Sequence, residues 1–492
     1  MSRRKKILVA VAIVCGVAIL VPVIRHYQLR FAVENYIAKL KAQGEPMDLA
    51  QVIPPPVPPE QNGVPFITNA LENLNSEGVV ANNPPPAMLM IAPGKAMIGW
   101  QQADIHTFGK RRNTWEDLGR ELAAARSDLD SFQNLTNHPV LNFNLDYQKL
   151  PYLSLAYLAS LKRSAQWLSA AAIYDLHQGN PKNACADVGA MLAIVKGETD
   201  ERILISQLVR FAIASMAADC TWEILQDPDV SDDDLAQLQQ DWQSLEFTAP
   251  LEQNLMFERV ELLQRFGQMQ KSSEKFDQLW EEFYTSDSSP NRNRYAAPLE
   301  KRSSFLRKWD ELRWRWFWSY QDELRGLQMF QAAIAAWRMA ETNENFQLSQ
   351  SSALAVMKPD QNSSDDLRNY FSQLAGDFQP VARKTAANQT SRNVIVAAIA
   401  LKRYELRHHQ LPATLEALTP DLLQTVSIDF MDGQPLRYRP NTDGTFLLYS
   451  VGDNRVDDGG DPSRAKGVTG SYYDWQNPSA LDWVWPQPTE GQ

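Results

Sequence analysis

Apolar residues recur along most of this chain at the three-to-four-residue spacing of helices, and Gly and Pro punctuate the pattern. From Tyr152 onward, Leu153, Tyr157, Leu161, Ala165, Leu168 and Ala172 form one stripe, which ends at Gly179 and Pro181. A second helix is predicted to run to about Lys196 and to close at Gly197. A third, "ERILISQLVRFAIASMAADCTWEILQ", stops at Asp227-Pro228, and Ser231-x-x-Asp234 caps a fourth. Upstream, Thr114-x-x-Asp117 opens a helix through about Phe132. Downstream, long helices are expected over roughly 251–285 and 299–348. No 34-residue period recurs, so the pattern reads as an irregular antiparallel helical array and not as a solenoid.

The N-terminus breaks this pattern. "ILVAVAIVCGVAILVPVI", residues 7–24, carries no charge and as a helix is about 27 Å long, close to a bilayer's hydrocarbon thickness. Arg3, Arg4, Lys5 and Lys6 precede it, so the N-terminus is expected to stay cytoplasmic and the rest to cross. A cleaved signal peptide competes with this reading, but Pro22, Val23, Ile24 and Arg25 supply no small-x-small junction. Val14 before Cys15 is too bulky for a lipoprotein junction. The expectation is an uncleaved anchor in a bacterial inner membrane, with the bulk of the chain periplasmic.

A helical continuation stops at Gly44 and Pro46. Two proline-rich stretches, "IPPPVPPEQNG" and "NNPPPAM", then read as extended spacers. The 299–348 helix contains Trp309, Trp314, Trp316, Phe317, Trp318 and Tyr320 on more than one face. Core packing between neighbouring helices is the plain reading. A membrane-interface or glycan-stacking surface competes, with Arg313 and Arg315 placed to meet lipid phosphates. From about Arg392 the order becomes helix, short helix, small antiparallel sheet and acidic loop. Asp432-Gly433 and Asp443-Gly444 mark turns beside the strands "PLRYR" and "TFLLYS".

Four segments follow: 1–28, basic head and anchor; 29–113, helix and proline-rich stretch; 114–380, helical body; 381–492, an α+β module with an aromatic tail. The fold class is mainly α. Residues 1–30 hold six Lys/Arg and no acid, which leaves 42 of the 48 bases against all 59 acids, a net of −17. So acidic a surface sets nucleic-acid binding aside. Cys185 and Cys220 fall on consecutive antiparallel helices about 13 Å out of step along the axis, which predicts free buried thiols.

The chemistry concentrates in "VGDNRVDDGGDPS". Asp453, Asn454, Asp457, Asp458 and Asp461 offer oxygens beside glycines that permit tight turns, a supply that suits Ca²⁺. A solvated acidic turn is the alternative. The module's strings "ALKRYELRHHQLPATLEAL", "DFMDGQPLRYR" and "FLLYSVGDNRVDDGG" occur in an order that resembles the C-terminal half of the type II secretion major pseudopilin, over about residues 390–462. That resemblance implies a calcium-binding loop after the last strand, and envelope or secretion proteins as partners. No acid occurs before Glu34, so polymerisation into a pilus is not implied. The whole chain also resembles uncharacterised membrane-anchored proteins of Verrucomicrobia and Planctomycetes, which imply no activity.

Enzyme signatures are sparse. G-x-S-x-G, P-loop, G-x-G-x-x-G, H-E-x-x-H and C-x-x-C strings are absent from the sequence. Glu405-x-x-His408 has di-iron spacing but no second such pair. The acid pairs Glu258/Glu261 and Glu281/Glu282 keep a glycan hydrolase with a Trp-rich cleft as the alternative to the leading expectation, a non-catalytic scaffold or interaction protein.

Overall fold

The computed structural model describes residues 3–74, 77–82, 84–105, 113–149, 153–278, 304–349, 378–465 and 474–489, without the side chains of residues 3–9, 11, 12, 15, 18, 19 and 304–307. In chain order the helices are α1 (Arg3–Ala42), α2 (Val64–Asn73), α3 (Trp115–Ser131), α4 (Ala156–His177), α5 (Pro181–Gly197) and α6 (Leu204–Leu225). They continue as α7 (Asp232–Gln243), α8 (Thr248–Lys271), α9 (Ser304–Arg313), α10 (Ser319–Thr342) and α11 (Gln379–His408). A π-helical turn, Trp314–Trp318, joins α9 to α10.

Local signals set most of these ends. Gly44 leaves α1 in the left-handed region at φ +84°. Thr114 and Asp117 form a reciprocal capping box on α3, and Ser231 Oγ accepts the Asp234 N–H at 3.1 Å to start α7. Pro181 occupies the first turn of α5, where its missing N–H costs nothing.

The chain divides into two compact units. One holds residues 1–53, 255–336 and 350–378; the other holds 54–254, 337–349 and 379–492. In the first, Val33 and Leu40 of α1 pack with Met47 and Leu327, and buried Arg259 reaches Glu45 at 3.0 Å. Trp314 is fully buried and donates to Asp322 Oδ2 at 3.0 Å. Trp309, Trp316 and Phe317 are exposed, so core packing accounts for only part of that aromatic run.

In the second unit α4, α5 and α6 stack as antiparallel neighbours, and α11 packs on α6 and α7. Cys185 and Cys220 are free and buried, as their helical offset predicts. The strands are β1 (Leu89–Ala92), β2 (Lys95–Met97), β3 (Ile428–Asp429), β4 (Gln434–Pro435), β5 (Arg437–Pro440), β6 (Phe446–Ser450), β7 (Trp483–Val484) and β8 (Gln487–Thr489). β5 and β6 form the expected hairpin around Asp443-Gly444, and β7 adds antiparallel to β6.

Three expectations need correction. The segment read as proline-rich spacer also folds into α2 and the β1–β2 hairpin. The short helix after Pro412 is a single 3₁₀ turn, Leu415–Leu418. The aromatic tail is not a tail: β8 runs parallel to β2, pairing Lys95 with Gln487 and Met97 with Thr489. Among the described residues, no helix is long and apolar enough to cross a membrane.

Candidate functional site

The acidic loop leaves β6 at Val451-Gly452, where Gly452 takes φ +60° and an added Cβ would meet the Trp483 indole at 3.0 Å. Beneath it lies Asp429, wholly buried, which accepts the Ser450 hydroxyl and the Val451 N–H, each at 2.9 Å, and the Met431 N–H at 3.1 Å. Burial pushes Asp429 up to about 6 against those hydrogen bonds. Arg437 lies beside it, 3.2 Å from Asp429, 2.5 Å from Asp432 and 3.5 Å from Asp457.

The five predicted ligands each find a protein partner. Asp453 pairs with Arg383 of α11 at 2.7 Å. Asp457 accepts the Tyr449 hydroxyl at 2.8 Å and the Gly459 N–H at 3.0 Å, and these bonds with Arg437 hold its carboxyl below the usual range despite partial burial. Asn454 donates to Asp458 at 2.7 Å, and Asp461 accepts the Ser463 N–H at 2.9 Å. The loop closes on buried Asp482, which accepts N–H groups from Gly460 at 2.8 Å and Asp461 at 3.2 Å. Of these five oxygen-bearing side chains, Asn454 and Asp458 face each other, while Asp453, Asp457 and Asp461 meet other neighbours. Among the described residues there is no group of three or more His, Cys, Asp or Glu arranged to hold a metal ion.

Sequence reading missed the buried acids of the helical layers. Glu198 follows Gly197 at the carbonyl end of α5, where the helix dipole disfavours negative charge. It is 2% exposed, and neither carboxylate oxygen has a hydrogen-bond partner. Burial and neighbouring Glu201 hold Glu198 well above the usual carboxylate range, while the charge on Arg210 pulls the other way. Glu201 accepts the Tyr157 hydroxyl at 2.5 Å and the Ser206 hydroxyl at 3.0 Å. Arg210 donates to Val195 O at the end of α5 at 2.7 Å, to Thr199 Oγ1 in the turn after it at 3.0 Å, and to Glu246 O between α7 and α8 at 2.9 Å. Chemically this is a buried carboxyl pair in which burial favours the protonated form of both acids, Glu198 the more strongly. Only the position of Glu198 just beyond a helix-ending glycine hinted at it.

A third acid has a structural task. Glu223 of α6 is fully buried and accepts N–H groups from Met88 at 2.8 Å and Gly99 at 2.7 Å, one on each side of the β1–β2 hairpin. Burial pushes it up to about 7 against those donors. Its neighbour Trp222 donates to the Pro486 carbonyl at 2.9 Å, just before β8. One turn of α6 therefore holds both the hairpin and the returning C-terminal strand.

The remaining sequence candidates stay apart. Glu405 pairs with Lys402 at 3.3 Å, while His408 lies exposed with its ring 4.2 Å from Tyr404. Glu261 pairs with Arg265 one turn away, and burial beside Glu261 pushes Glu258 up to about 8. Glu281 and Glu282 lie outside the described residues. Comparison with protein-family models, with curated proteins and with solved structures finds no match to this chain.

Proposed function

We infer that this chain is a non-catalytic, membrane-anchored scaffold whose body faces the periplasm of a bacterial cell. One observation carries the reading. Along α1, Ile13, Val14, Val17, Leu20, Val21 and Ile24 are each 46–67% exposed on an unbroken helix. A row of bare aliphatic side chains is costly in water and favourable in hydrocarbon, at about 25 cal/mol per Å² of apolar surface removed from water. The basic residues before it set the orientation.

Envelope or secretion proteins are the partners this reading proposes, on the strength of the pseudopilin-like string order. Calcium at the loop is part of the same proposal. Its support is the local supply of carboxylate oxygens, and an arriving ion would have to displace Arg383 from Asp453 and Arg437 from Asp457. The test of the anchor is a reporter active only outside the cytoplasm, fused after Gln492. Reporter activity together with retention in washed membranes is expected, and a soluble product with a shortened N-terminus overturns the reading.

A further inference from the structure

The segment around Trp309–Trp318 is amphipathic in the wrong sense for a helix in water. Its buried side carries Asp310 at 4% exposure, Glu311 at 1% and, past the π-helical turn, Asp322 at 0%. Its open side carries Trp309 at 56%, Leu312 at 41%, Trp316 at 53% and Phe317 at 41%. Inward, Glu311 lies 2.9 Å from Arg315, and Asp322 accepts the Trp314 indole N–H. Helices in water arrange themselves the other way round, with charge outward. Trp309, Leu312 and Trp316 follow one another at three- and four-residue steps, so the bare side is a continuous stripe.

The level of this stripe is set by α1. Arg25 and His26 are the first polar residues after the apolar run. His26 Nδ1 lies 2.9 Å from the Trp316 carbonyl oxygen, with its ring 5.3 Å from the Trp316 ring. Arg25 stands 5.1 Å over the Trp318 ring and donates to Gln321 at 2.8 Å. The π turn thus docks at the step where α1 changes from apolar to polar. Tyr27 and Phe31, exposed by 61% and 63%, continue the same character along α1. Indole and phenol rings favour the zone between headgroups and acyl chains, and arginine beside them suits lipid phosphate.

We propose that the open face of residues 309–318 is a bilayer-contacting surface, seated among the headgroups and upper acyl chains of the leaflet where the apolar run of α1 ends. It rests on the anchoring reading above and goes beyond it. The unit carrying this face lies on the membrane instead of hanging from a free stalk.

The full-length chain, produced in bacterial membranes with the photo-crosslinker p-benzoylphenylalanine at position 316, tests this. A matched control places the probe at Lys41, about 24 Å further along α1 from Arg25. After illumination and alkaline washing, phospholipid adducts are expected at 316 and not at 41. In vesicles containing acyl-brominated phospholipid, the double variant Trp309→Gln, Trp316→Gln should lose part of the tryptophan quenching seen with the unaltered chain, and both sites are exposed enough to leave folding intact. A chain that stays in the membrane but gives no lipid adduct at 316, or a protein adduct instead, overturns the surface and leaves the anchor standing. A chain released by washing overturns the anchor, and the seated surface with it.

Discussion

The Tyr157 hydroxyl donates to Glu201 Oε1 at 2.5 Å, three residues from Glu198, whose two carboxylate oxygens have no donor at all. A phenol from the start of α4 thus meets a pair of acids on the turn between α5 and α6. Burial raises Tyr157 as well, so the phenol keeps its proton and remains the donor.

That arrangement predicts a pH slope. Folded Glu198 and Glu201 both stand above the ordinary glutamate value of 4.5. The folded state therefore holds protons that the unfolded chain has released. Their stabilising contribution is complete below about pH 4.5 and is lost as pH rises through the folded values. Glu198→Gln keeps the shape without the ionisation, so urea midpoints across pH 5–8 should fall less steeply than in the unaltered chain. An unchanged slope would refute an upward shift at Glu198.

Glu223 should be costly to replace for a different reason. Glu223→Leu leaves the Met88 and Gly99 N–H groups buried without an acceptor, at about 1–3 kcal/mol for each group so stranded. Gly99→Ala presses from the other side, since an added Cβ would collide with the Pro86 carbonyl oxygen. Both variants are expected to lower the unfolding midpoint and to release protection of the β1–β2 amides in hydrogen exchange. Loss of global stability with the hairpin still protected would contradict the clamp.

Arg437 is expected to hold the C-terminal sheet to its loop. Arg437→Met removes the cation beside buried Asp429, which keeps its three hydrogen-bond donors, so the loss should fall below the cost of a fully stranded buried charge, about 3–5 kcal/mol. Asp429 should then be rescued in part by Asp429→Asn. A double-mutant cycle on denaturant midpoints measures this, and additive effects would show that the two side chains do not depend on each other.

Calcium has its own test. If the ion binds the loop, the full chain should gain about 2.7 kcal/mol at a calcium level a hundredfold above the dissociation constant. Asp457→Asn combined with Asp458→Asn should abolish the gain, while Asp443→Asn, outside the loop, should not. Equal melting with chelator and with millimolar calcium would leave the loop closed by protein groups, Arg383, Arg437, Tyr449 and Asp482 among them.

Much of the helical architecture was written locally. Thr114 with Asp117, Ser231 with Asp234, and Gly44, Gly179 and Pro181 act through hydrogen bonds and backbone conformations within a few residues, so sequence alone placed α3, α7 and the ends of α1, α4 and α5. The β5–β6 hairpin was legible for the same reason, because Asp443-Gly444 encodes its own turn. Burial and long-range pairing were decided only by the tertiary structure. Four aspartates within nine residues read as one ligand set in sequence; that Arg383, 70 residues away, pairs with Asp453 and that Arg437 reaches Asp457 shows only in the fold. β8 pairs with β2 across almost the whole chain, a partnership that short-range patterning cannot carry. Glu198 is ordinary in sequence and becomes unusual only because the helices around it remove water from both of its oxygens.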